Sequence, residues 1–204
     1  MWAKRSVKCS RLVWTCAAEC ARTALWIGSS WGAFSRPWCG RVLVELAGAR
    51  PILRAARPDE GPVLSAIARA SKAHWGYPKA WLDAWRDELT IDASLIERLR
   101  VTVAEQAEPM GFSALTVDGE RAELEHLWVL PDAIGHGLGR RLFHDAVDAA
   151  ADAGARRLVI VSDPNAAPFY ERMGARKTGE ERSELFGQPR VLPVHTLRIH
   201  TEDP

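Results

Sequence analysis

The segment that most constrains the fold runs from residue 121 to residue 154, where a strand pattern, a glycine-rich turn and a helix pattern follow one another. Residues 121–130 predict a β-strand that ends at a proline. The turn contains Gly135, Gly137 and Gly139 in alternation. The helix pattern places its apolar side chains on one face and meets a glycine stop at residue 154: Leu138, Leu142, Phe143, Ala146, Val147 and Ala150. The chain must therefore combine a sheet with helices.

The flanking patterns extend this prediction over residues 51–200. Their order is β-α-α-β-β-β-α-β-α-β-β, which is typical of a mixed α+β domain. Asp118-Gly119 is a hairpin signal, so the three strands before the glycine turn are expected to form an antiparallel meander. Asp92 and Asn165 are predicted helix caps. The predicted strands are 51–57, 101–106, 110–117, 121–130, 157–161, 175–184 and 191–199, and the first helices are 62–72, 80–89 and 92–98.

The composition is that of a soluble globular protein, but it changes near residue 50. The 204 residues are 47% apolar and 26% charged, which excludes a disordered or fibrous chain. Residues 1–50 carry eight basic and two acidic side chains, a formal charge of +6, and all four cysteines. The other 154 residues carry 19 basic and 24 acidic side chains, a charge of −5. Neither the total of +1 nor the acidic part predicts nucleic-acid binding.

Residues 1–50 fit none of the usual roles of an N-terminal segment. The longest uncharged run, residues 23–35, is too short and too rich in glycine and serine to span a membrane. Glu19 interrupts the apolar stretch that a signal peptide would need, and the cysteine and tryptophan content does not suit a transit peptide. The cysteine spacing does not suit zinc, and no metal site is predicted elsewhere. We expect a poorly ordered extension, and hypothesise that translation starts near Val42 or Val44.

The glycine turn is suited to a phosphate group. Backbone N–H groups at a helix N-terminus are unpaired and lie at the positive end of the helix dipole, and glycine allows a ligand to approach them closely. The turn lacks the Gly-Lys-Ser/Thr ending of a P-loop, since Arg140 and Arg141 follow Gly139. It also lacks the last glycine of a dinucleotide fingerprint, because Leu142 stands there. A glycine-rich turn without a ligand remains an alternative.

Two motifs in the right order resemble the GNAT superfamily of N-acetyltransferases. Gly137 and Gly139 match the last two fixed positions of the family's pyrophosphate loop, Arg/Gln-x-x-Gly-x-Gly/Ala, although Ile134 departs from its first position. Residues 165–175 resemble the family's Asn-x-x-Ala-x-x-Phe-Tyr-x-x-x-Gly-Phe. Asn165 stands two residues closer to the Phe-Tyr pair, and the final Phe is Ala175. The resemblance covers about residues 51–200.

The resemblance implies a fold and a cosubstrate. The fold would be a three-layer α/β/α arrangement around a mixed, mostly antiparallel sheet of about seven strands, with a splayed parallel pair at its centre. Acetyl-coenzyme A would bind in that gap. Its pantetheine arm would pair with the backbone of Leu127 and Val129, and Asn165 would contact it from the other side. Its pyrophosphate would rest on the glycine turn and the residues around it: Ile134, Gly135, His136, Gly137, Leu138, Gly139 and Arg140.

Catalytic and acceptor residues are predicted on the same basis. Tyr170 occupies the family's general-acid position, with a core tyrosine as the alternative. Glu123 and Glu125, two residues apart on one predicted strand face, are candidates for the general base, unless a water chain does this work. His126 is expected on the opposite strand face. The acceptor site is predicted beside His74, Trp75 and Tyr77, in the loop between the first two helices.

The sequence thus predicts an N-terminal extension, residues 1–50, and an acetyltransferase domain, residues 51–204. The predicted activity is transfer of an acetyl group from acetyl-coenzyme A to a primary amine by direct attack, with a small molecule as acceptor. A protein or peptide acceptor and a non-catalytic acyl-coenzyme A sensor are the alternatives. The expected location is the cytoplasm, with no nucleic-acid or membrane partner, and a homodimer is left open.

Overall fold

The computed structural model describes residues 50–199. The expectations for residues 1–49, including the poorly ordered extension and the start near Val42 or Val44, lie outside the described residues. Within that range the chain forms seven strands and five α-helices, and two 3₁₀ turns precede α1 and α4. The strands are β1 (Ile52–Ala55), β2 (Arg100–Glu105), β3 (Pro109–Asp118), β4 (Arg121–Val129), β5 (Arg157–Val161), β6 (Arg176–Leu185) and β7 (Gln188–Arg198). The helices are α1 (Gly61–Ala73), α2 (Lys79–Ala84), α3 (Ala93–Arg98), α4 (Leu138–Asp152) and α5 (Ala167–Arg172).

The strands form one mixed sheet in the order β1-β2-β3-β4-β5-β7-β6. Strands β2, β3 and β4 are the predicted antiparallel meander, and β5, β7 and β6 form a second antiparallel group. The two groups join through β4 and β5, which is the parallel pair of the sheet. The predicted fold class and its parallel pair are therefore confirmed.

Helices cover the two faces of the sheet unequally. Helices α4 and α5 pack on one face, around Phe143, Leu158 and Tyr170. The residues of α1 to α3 pack on the other face with β2, β3 and β4, around Leu64, Trp85 and Phe112. That second cluster contains no residue of β5 or β7 among the described residues. Between the helices, the sheet supplies the middle of three layers, and on the side of α1 to α3 no described residue of β5 or β7 joins the apolar cluster.

A β-bulge in β4 changes which side chains share a face. The register passes from Leu115 opposite Leu124 to Ala114 opposite His126, so Glu125 is an extra residue. Leu124 and Leu127 consequently both pack on the α4 side, although they are three residues apart. The prediction that His126 lies opposite the glutamates is wrong for Glu123, because the inserted residue shifts the alternation by one. Arg121, Glu123, His126 and Trp128 therefore share the face that turns away from α4.

Two local predictions differ from the structure. The helix predicted over 80–89 ends at Ala84, and the chain continues through turns to Leu89, whose N–H still bonds the Trp85 carbonyl. Asn165 does not cap α5, because its side chain bonds Tyr77 instead. The N-cap residue is Ala166, and no side chain caps the helix. The predicted cap at Asp92 is confirmed, since its carboxylate accepts a hydrogen bond from the Leu95 N–H at 2.7 Å.

Candidate active site

Strands β4 and β5 separate at the centre of the sheet. Their pairing runs from Arg121 opposite Arg157 to Glu123 opposite Val159 and then stops, although β4 continues to Val129. Beyond Glu123, the edge of β4 that faces β5 therefore has no strand partner among the described residues. Leu127 and Val129 pair with β3 on the other edge, and their side chains pack on the α4 side. Their backbone is thus free to bond an extended ligand in the gap.

The glycine turn lies directly beyond this gap. Gly135 and Gly137 have φ angles of +86° and +81°, a left-handed conformation that favours glycine. Helix α4 starts at Leu138, with Gly137 as its N-cap and no side-chain cap bond. Its first backbone N–H groups therefore have no intrahelical partner. A Cβ at Gly135 would meet no atom within 4 Å, so a ligand has open access.

This turn fits a pyrophosphate. The orphan N–H groups and the helix dipole both favour an anion. Arg140 is exposed, and its Nη2 lies 3.8 Å from the Cβ position of Gly137, so it can add positive charge. Ile134 and His136 are exposed around the turn, whereas the Leu138 side chain is buried and contributes only its backbone.

Tyr170 lies in the core below α4, packed against the rings of Phe143, Phe169 and His195. It is 7% exposed, and its hydroxyl makes no hydrogen bond with a described residue. Burial, and the nearby charge of Asp163, raise the pKa of Tyr170 above its usual range. The phenol therefore stays protonated at all physiological pH values, and it has a donor to offer.

A polar cluster that includes the buried Lys72 and the exposed Asn165 ties the predicted acceptor loop to the end of β5. We call it the site network: Lys72, Tyr77, Asp163 and Asn165. The Lys72 ammonium lies 2.5 Å from Asp163 Oδ2. The Tyr77 hydroxyl donates to the same carboxylate at 2.9 Å, and the Asn165 amide donates to Tyr77 Oη at 3.0 Å. The network joins residues up to 91 positions apart in the chain.

The electrostatics of this network follow from burial and pairing. Burial lowers the pKa of Lys72 despite the opposing charge of Asp163. The pKa of Asp163 is also lowered, because the hydrogen bond and charge of Lys72 and the bonds from Asn165 and Tyr77 outweigh its desolvation. Desolvation and the bond to Asp163 raise the pKa of Tyr77 to about 12. Tyr77 is thus a donor, and Asp163 an anion, at neutral pH.

The two glutamates lie at the start of the gap. Glu123 is the last residue of β4 to pair with β5, and its carboxylate forms an ion pair with Arg121 at 2.9 Å. Glu125 is the bulge residue, and its carboxylate accepts a hydrogen bond from Thr116 Oγ1 at 2.7 Å. Both side chains reach solvent. The two glutamates therefore differ in position. Glu123 lies where β4 and β5 separate, whereas the Glu125 carboxylate is bonded to a side chain of β3.

His126 joins Glu123 on this face. Its Nδ1 accepts a hydrogen bond from the Trp128 indole at 3.2 Å, so the neutral ring carries its proton on Nε2. Burial lowers the pKa of His126, which keeps the ring neutral at pH 7. A neutral His126 is therefore a hydrogen-bond donor at Nε2.

Three aromatic side chains, one of them in the predicted acceptor loop, pack against one another. Tyr77, Trp81 and Trp85 contact one another with ring centroids 5.0 to 6.0 Å apart. Arg190, at the start of β7, lies over the Trp85 ring at 4.5 Å. Trp75 is 42% exposed, and His74 packs edge-on against it at 5.4 Å. Of the three predicted acceptor residues, Tyr77 is therefore part of the site network, whereas His74 and Trp75 lie at the surface.

Three residues of the site were missed in the sequence. Lys72 and Asp163 carry no local signal, because their contact depends on the fold alone. His195 is fully buried beside Tyr170, and its Nδ1 lies 3.3 Å from Ser162 Oγ. Its Nε2 has no hydrogen bond with a described residue and lies 3.7 Å from Glu171. A buried histidine in a strand pattern could have marked this position, but the sequence does not show what it contacts.

Two negative findings apply to residues 50–199. No cluster of three or more histidine, cysteine or acidic side chains in this part of the chain has an arrangement that could bind a metal ion. None of its helices combines the length and the apolar character that crossing a bilayer requires.

A mixed sheet that opens between two parallel strands, next to a glycine turn at a helix N-terminus, defines the class of fold. The family model of the acetyltransferase (GNAT) family matches residues 66–175. The peptidyl-lysine N-acetyltransferase YjaB of Salmonella typhimurium is 33% identical over 141 residues, which are 69% of this chain and 93% of the relative. The chain belongs to the GNAT acetyltransferase family and is an N-acetyltransferase, as its motifs predict.

Solved structures share the fold. A GCN5-related N-acetyltransferase of Rhodopseudomonas palustris superposes with a TM-score of 0.61 at 24% identity, covering 74% of this chain and 96% of the other. The PaiA N-acetyltransferase of Thermoplasma acidophilum, solved in complex with coenzyme A, has a TM-score of 0.58 at 16% identity and covers 74% and 99%. At these identities the likeness concerns the fold.

Proposed function

We propose that the protein transfers an acetyl group from acetyl-coenzyme A to the side-chain amine of a lysine in another protein. The observation that carries the proposal is the separation of β4 from β5 after Glu123, next to the glycine turn. This gap offers backbone bonds to an extended ligand at one end and an anion site at the other. The thiol ester that acetyl-coenzyme A supplies when bound is the acetyl donor.

The binding residues follow from that gap. The backbone of Leu127 and Val129 pairs with the pantetheine arm, and the N–H groups that follow Gly137 hold the pyrophosphate, with Arg140 adding charge. Asn165 already uses its amide N–H₂ group within the site network. Its side-chain oxygen makes no hydrogen bond with a described residue, so Asn165 can still accept one from the ligand.

Tyr170 acts on the leaving sulfur. Its raised pKa makes it a weaker acid than a free phenol, so it serves as a hydrogen-bond donor to the sulfur while the C–S bond breaks. A thiol has a pKa of about 8.5, so the sulfur can leave as the thiolate when such a donor stabilises it. The Tyr170 hydroxyl has no hydrogen-bond partner within residues 50–199, which supports this role over that of a core tyrosine.

The amine must lose a proton before or during attack. Glu123 takes it through water, because its carboxylate stands on the acceptor face where the gap begins. His126 lies on the same face and donates through Nε2, so it orients the acceptor. Glu125, bonded to Thr116, contributes less.

The choice of acceptor rests on the relative. The relative with 33% identity is a peptidyl-lysine N-acetyltransferase, and it aligns over 93% of its own length. The small-molecule acceptor predicted from the motifs has no comparable support.

The test combines binding with turnover. Coenzyme A should raise the melting temperature, and thiol release from acetyl-coenzyme A should require a lysine peptide. Tyr170→Phe should lower kcat about 100-fold while the Kd for coenzyme A changes less than about twofold. The chain has two tyrosines, so Tyr77→Phe is the matched control and should retain most of kcat.

Each alternative has its own outcome. An unchanged kcat in Tyr170→Phe would refute the role of Tyr170. Turnover of small amines but of no peptide would return the acceptor to the small-molecule class. Stabilisation by coenzyme A without turnover of any amine would indicate a non-catalytic sensor.

A further inference from the structure

A row of arginines crosses strands β4, β5 and β7 on the face that turns away from α4. Arg121 of β4 is the register partner of Arg157 of β5, and Arg157 is the partner of Arg198 of β7. Neighbouring strands are about 4.8 Å apart, so three like charges stand side by side. Such neighbours destabilise a sheet unless something compensates for them. The domain as a whole is acidic, so this row is a local exception.

The row lies on the acceptor face. Leu158 of β5 and Leu197 of β7 pack on the α4 side, so their neighbours Arg157 and Arg198 point the other way. No residue of these two strands belongs to the described core cluster beneath α1 to α3. On β4 the same face continues from Arg121 through Glu123 to His126 and Trp128, because of the bulge.

A surface cavity of about 580 Å³ accompanies the row. It is lined by Arg156, Arg157, Thr178, Thr196, Arg198 and Ile199. Thr178 is the extra residue where the β6–β7 register shifts, and its hydroxyl lies 2.9 Å from that of Thr196. The cavity therefore offers guanidinium groups and hydroxyls together, a donor set suited to carboxylates.

Two of these charges have no acidic partner among the described residues. Arg121 pairs with Glu123, and Arg156 pairs with Glu120 at 3.1 Å. Arg157 and Arg198 form no ion pair with a residue in the range 50–199. A guanidinium binds carboxylates through two parallel hydrogen bonds, so the pair can hold neighbouring acidic side chains.

We infer that this surface, the arginine row with its cavity, docks an acidic segment of the acceptor protein. The inference rests on the proposed protein-lysine function and adds a substrate preference to it. From Arg121 to Trp128 the strand rises roughly 20 Å, which an extended peptide spans in about six residues. The acidic residues should therefore lie about six positions from the acetylated lysine.

The experiment compares designed peptides with one lysine. One peptide carries three glutamates about six residues from the lysine, and a second carries glutamines at those positions. A third carries the three glutamates beside the lysine. Each peptide is made in two versions, with these residues on the N-terminal or on the C-terminal side of the lysine. The peptide with distant glutamates should have a kcat/KM at least tenfold higher than that of the glutamine peptide, because its KM is lower. Salt should reduce this ratio, because exposed charges are screened.

Variants of the full chain locate the effect. The double variant Arg157→Gln/Arg198→Gln should have nearly the same kcat/KM for the peptide with distant glutamates as for the glutamine peptide. Arg98→Gln/Arg100→Gln removes the same charge from an exposed part of α3 and β2, and should keep the ratio. Melting curves establish that all variants are folded.

The outcomes separate the inference from the proposed function. Equal turnover of the three peptides, or a preference that survives Arg157→Gln/Arg198→Gln, overturns the docking surface while lysine acetylation stands. A preference for glutamates beside the lysine also overturns it, since the row lies too far away. Turnover of no peptide, with turnover of small amines, overturns the protein-lysine function itself.

Discussion

Two networks of ion pairs and hydrogen bonds in this domain are built from similar groups, but they differ in whether each polar group has a partner. The edge network consists of Arg54, Glu60 and Glu105, and joins β1 to β2 and to the turn before α1. Arg54 binds Glu60 through two bonds of 2.7 and 2.8 Å and also pairs with Glu105, while Glu60 accepts the Arg57 N–H at 2.7 Å. Every charged group in it faces another member. The edge network therefore serves the fold.

In the site network the side-chain oxygen of Asn165 has no hydrogen-bond partner among residues 50–199. Asp163 holds Lys72 and Tyr77, and its charge also acts on Tyr170. Asn165 contributes its amide from the loop that leads into α5. The network thus links the end of α1 and the loop after it to the segment between β5 and α5. Of the two networks, only this one lies at the end of β5, next to the strand separation on which the proposed function rests.

Removing the centre of the site network should have the largest effect. Asp163→Leu leaves the Lys72 ammonium buried without its counter-charge, which should lower the free energy of unfolding by about 3–5 kcal/mol. kcat/KM should fall about 100-fold, because the loop that leads to Tyr170 loses its anchor. Denaturant unfolding and thiol-release kinetics measure the two effects.

The double variant Lys72→Met/Asp163→Leu separates stability from activity. Replacing both charges with apolar groups should recover most of the lost stability. Activity should stay at least tenfold low, because Tyr77 and Asn165 still lack their acceptor. If the double variant regained full activity, the site network would be structural in the same sense as the edge network.

Disrupting the edge network should cause an intermediate loss of stability, and the size of that loss should depend on pH. The pKa of Glu60 is about 2 in the fold, against 4.5 as its usual value, because Arg54 and the Arg57 N–H bind its carboxylate. The stability it contributes is therefore present above pH 4.5 and is lost as the pH falls towards 2. Glu60→Gln should cost about 1–3 kcal/mol at pH 7.

Activity distinguishes this variant from those of the site network. At 25 °C and pH 7, the folded fraction of Glu60→Gln should keep its kcat and KM. Its difference in stability from the parent chain should shrink between pH 4.5 and pH 2 in urea titrations. A pH-independent difference would show that packing rather than the charge of Glu60 is responsible.

Tyr77→Phe should give the smallest effect. It removes the hydroxyl that joins Asp163 to Asn165 but keeps the ring against Trp81 and Trp85. The expected cost is about 1 kcal/mol of stability. KM for the acceptor should rise several-fold with little change in kcat, because the loop loosens while Tyr170 stays in place. A kcat loss as large as that of Tyr170→Phe would contradict the division of roles between the two tyrosines.

Most helices and strands were predicted well, because each produces a continuous pattern of residues in the sequence. The strand, glycine turn and helix between residues 121 and 154 were predicted within a residue or two, and the motif resemblance supplied the topology. The site network was not predicted, since Lys72 and Asp163 meet only through the tertiary fold. The face of His126 was predicted wrongly because strict alternation does not reveal a bulge. The roles of Tyr170, Glu123 and Asn165 stay predictions.

The bulge at Glu125 also has a consequence for how such chains diversify. It adds one residue to β4, so deleting Glu125 would remove the bulge and leave every position from His126 to Val129 with its present partner on β3. Leu127 and Val129 would still pack on the α4 side, and Trp128 would stay on the opposite face. Related chains can therefore lack the bulge residue without exchanging the faces of this strand, and gaps in their alignment should fall at position 125 or in the hairpin at Gly119 rather than elsewhere in β4.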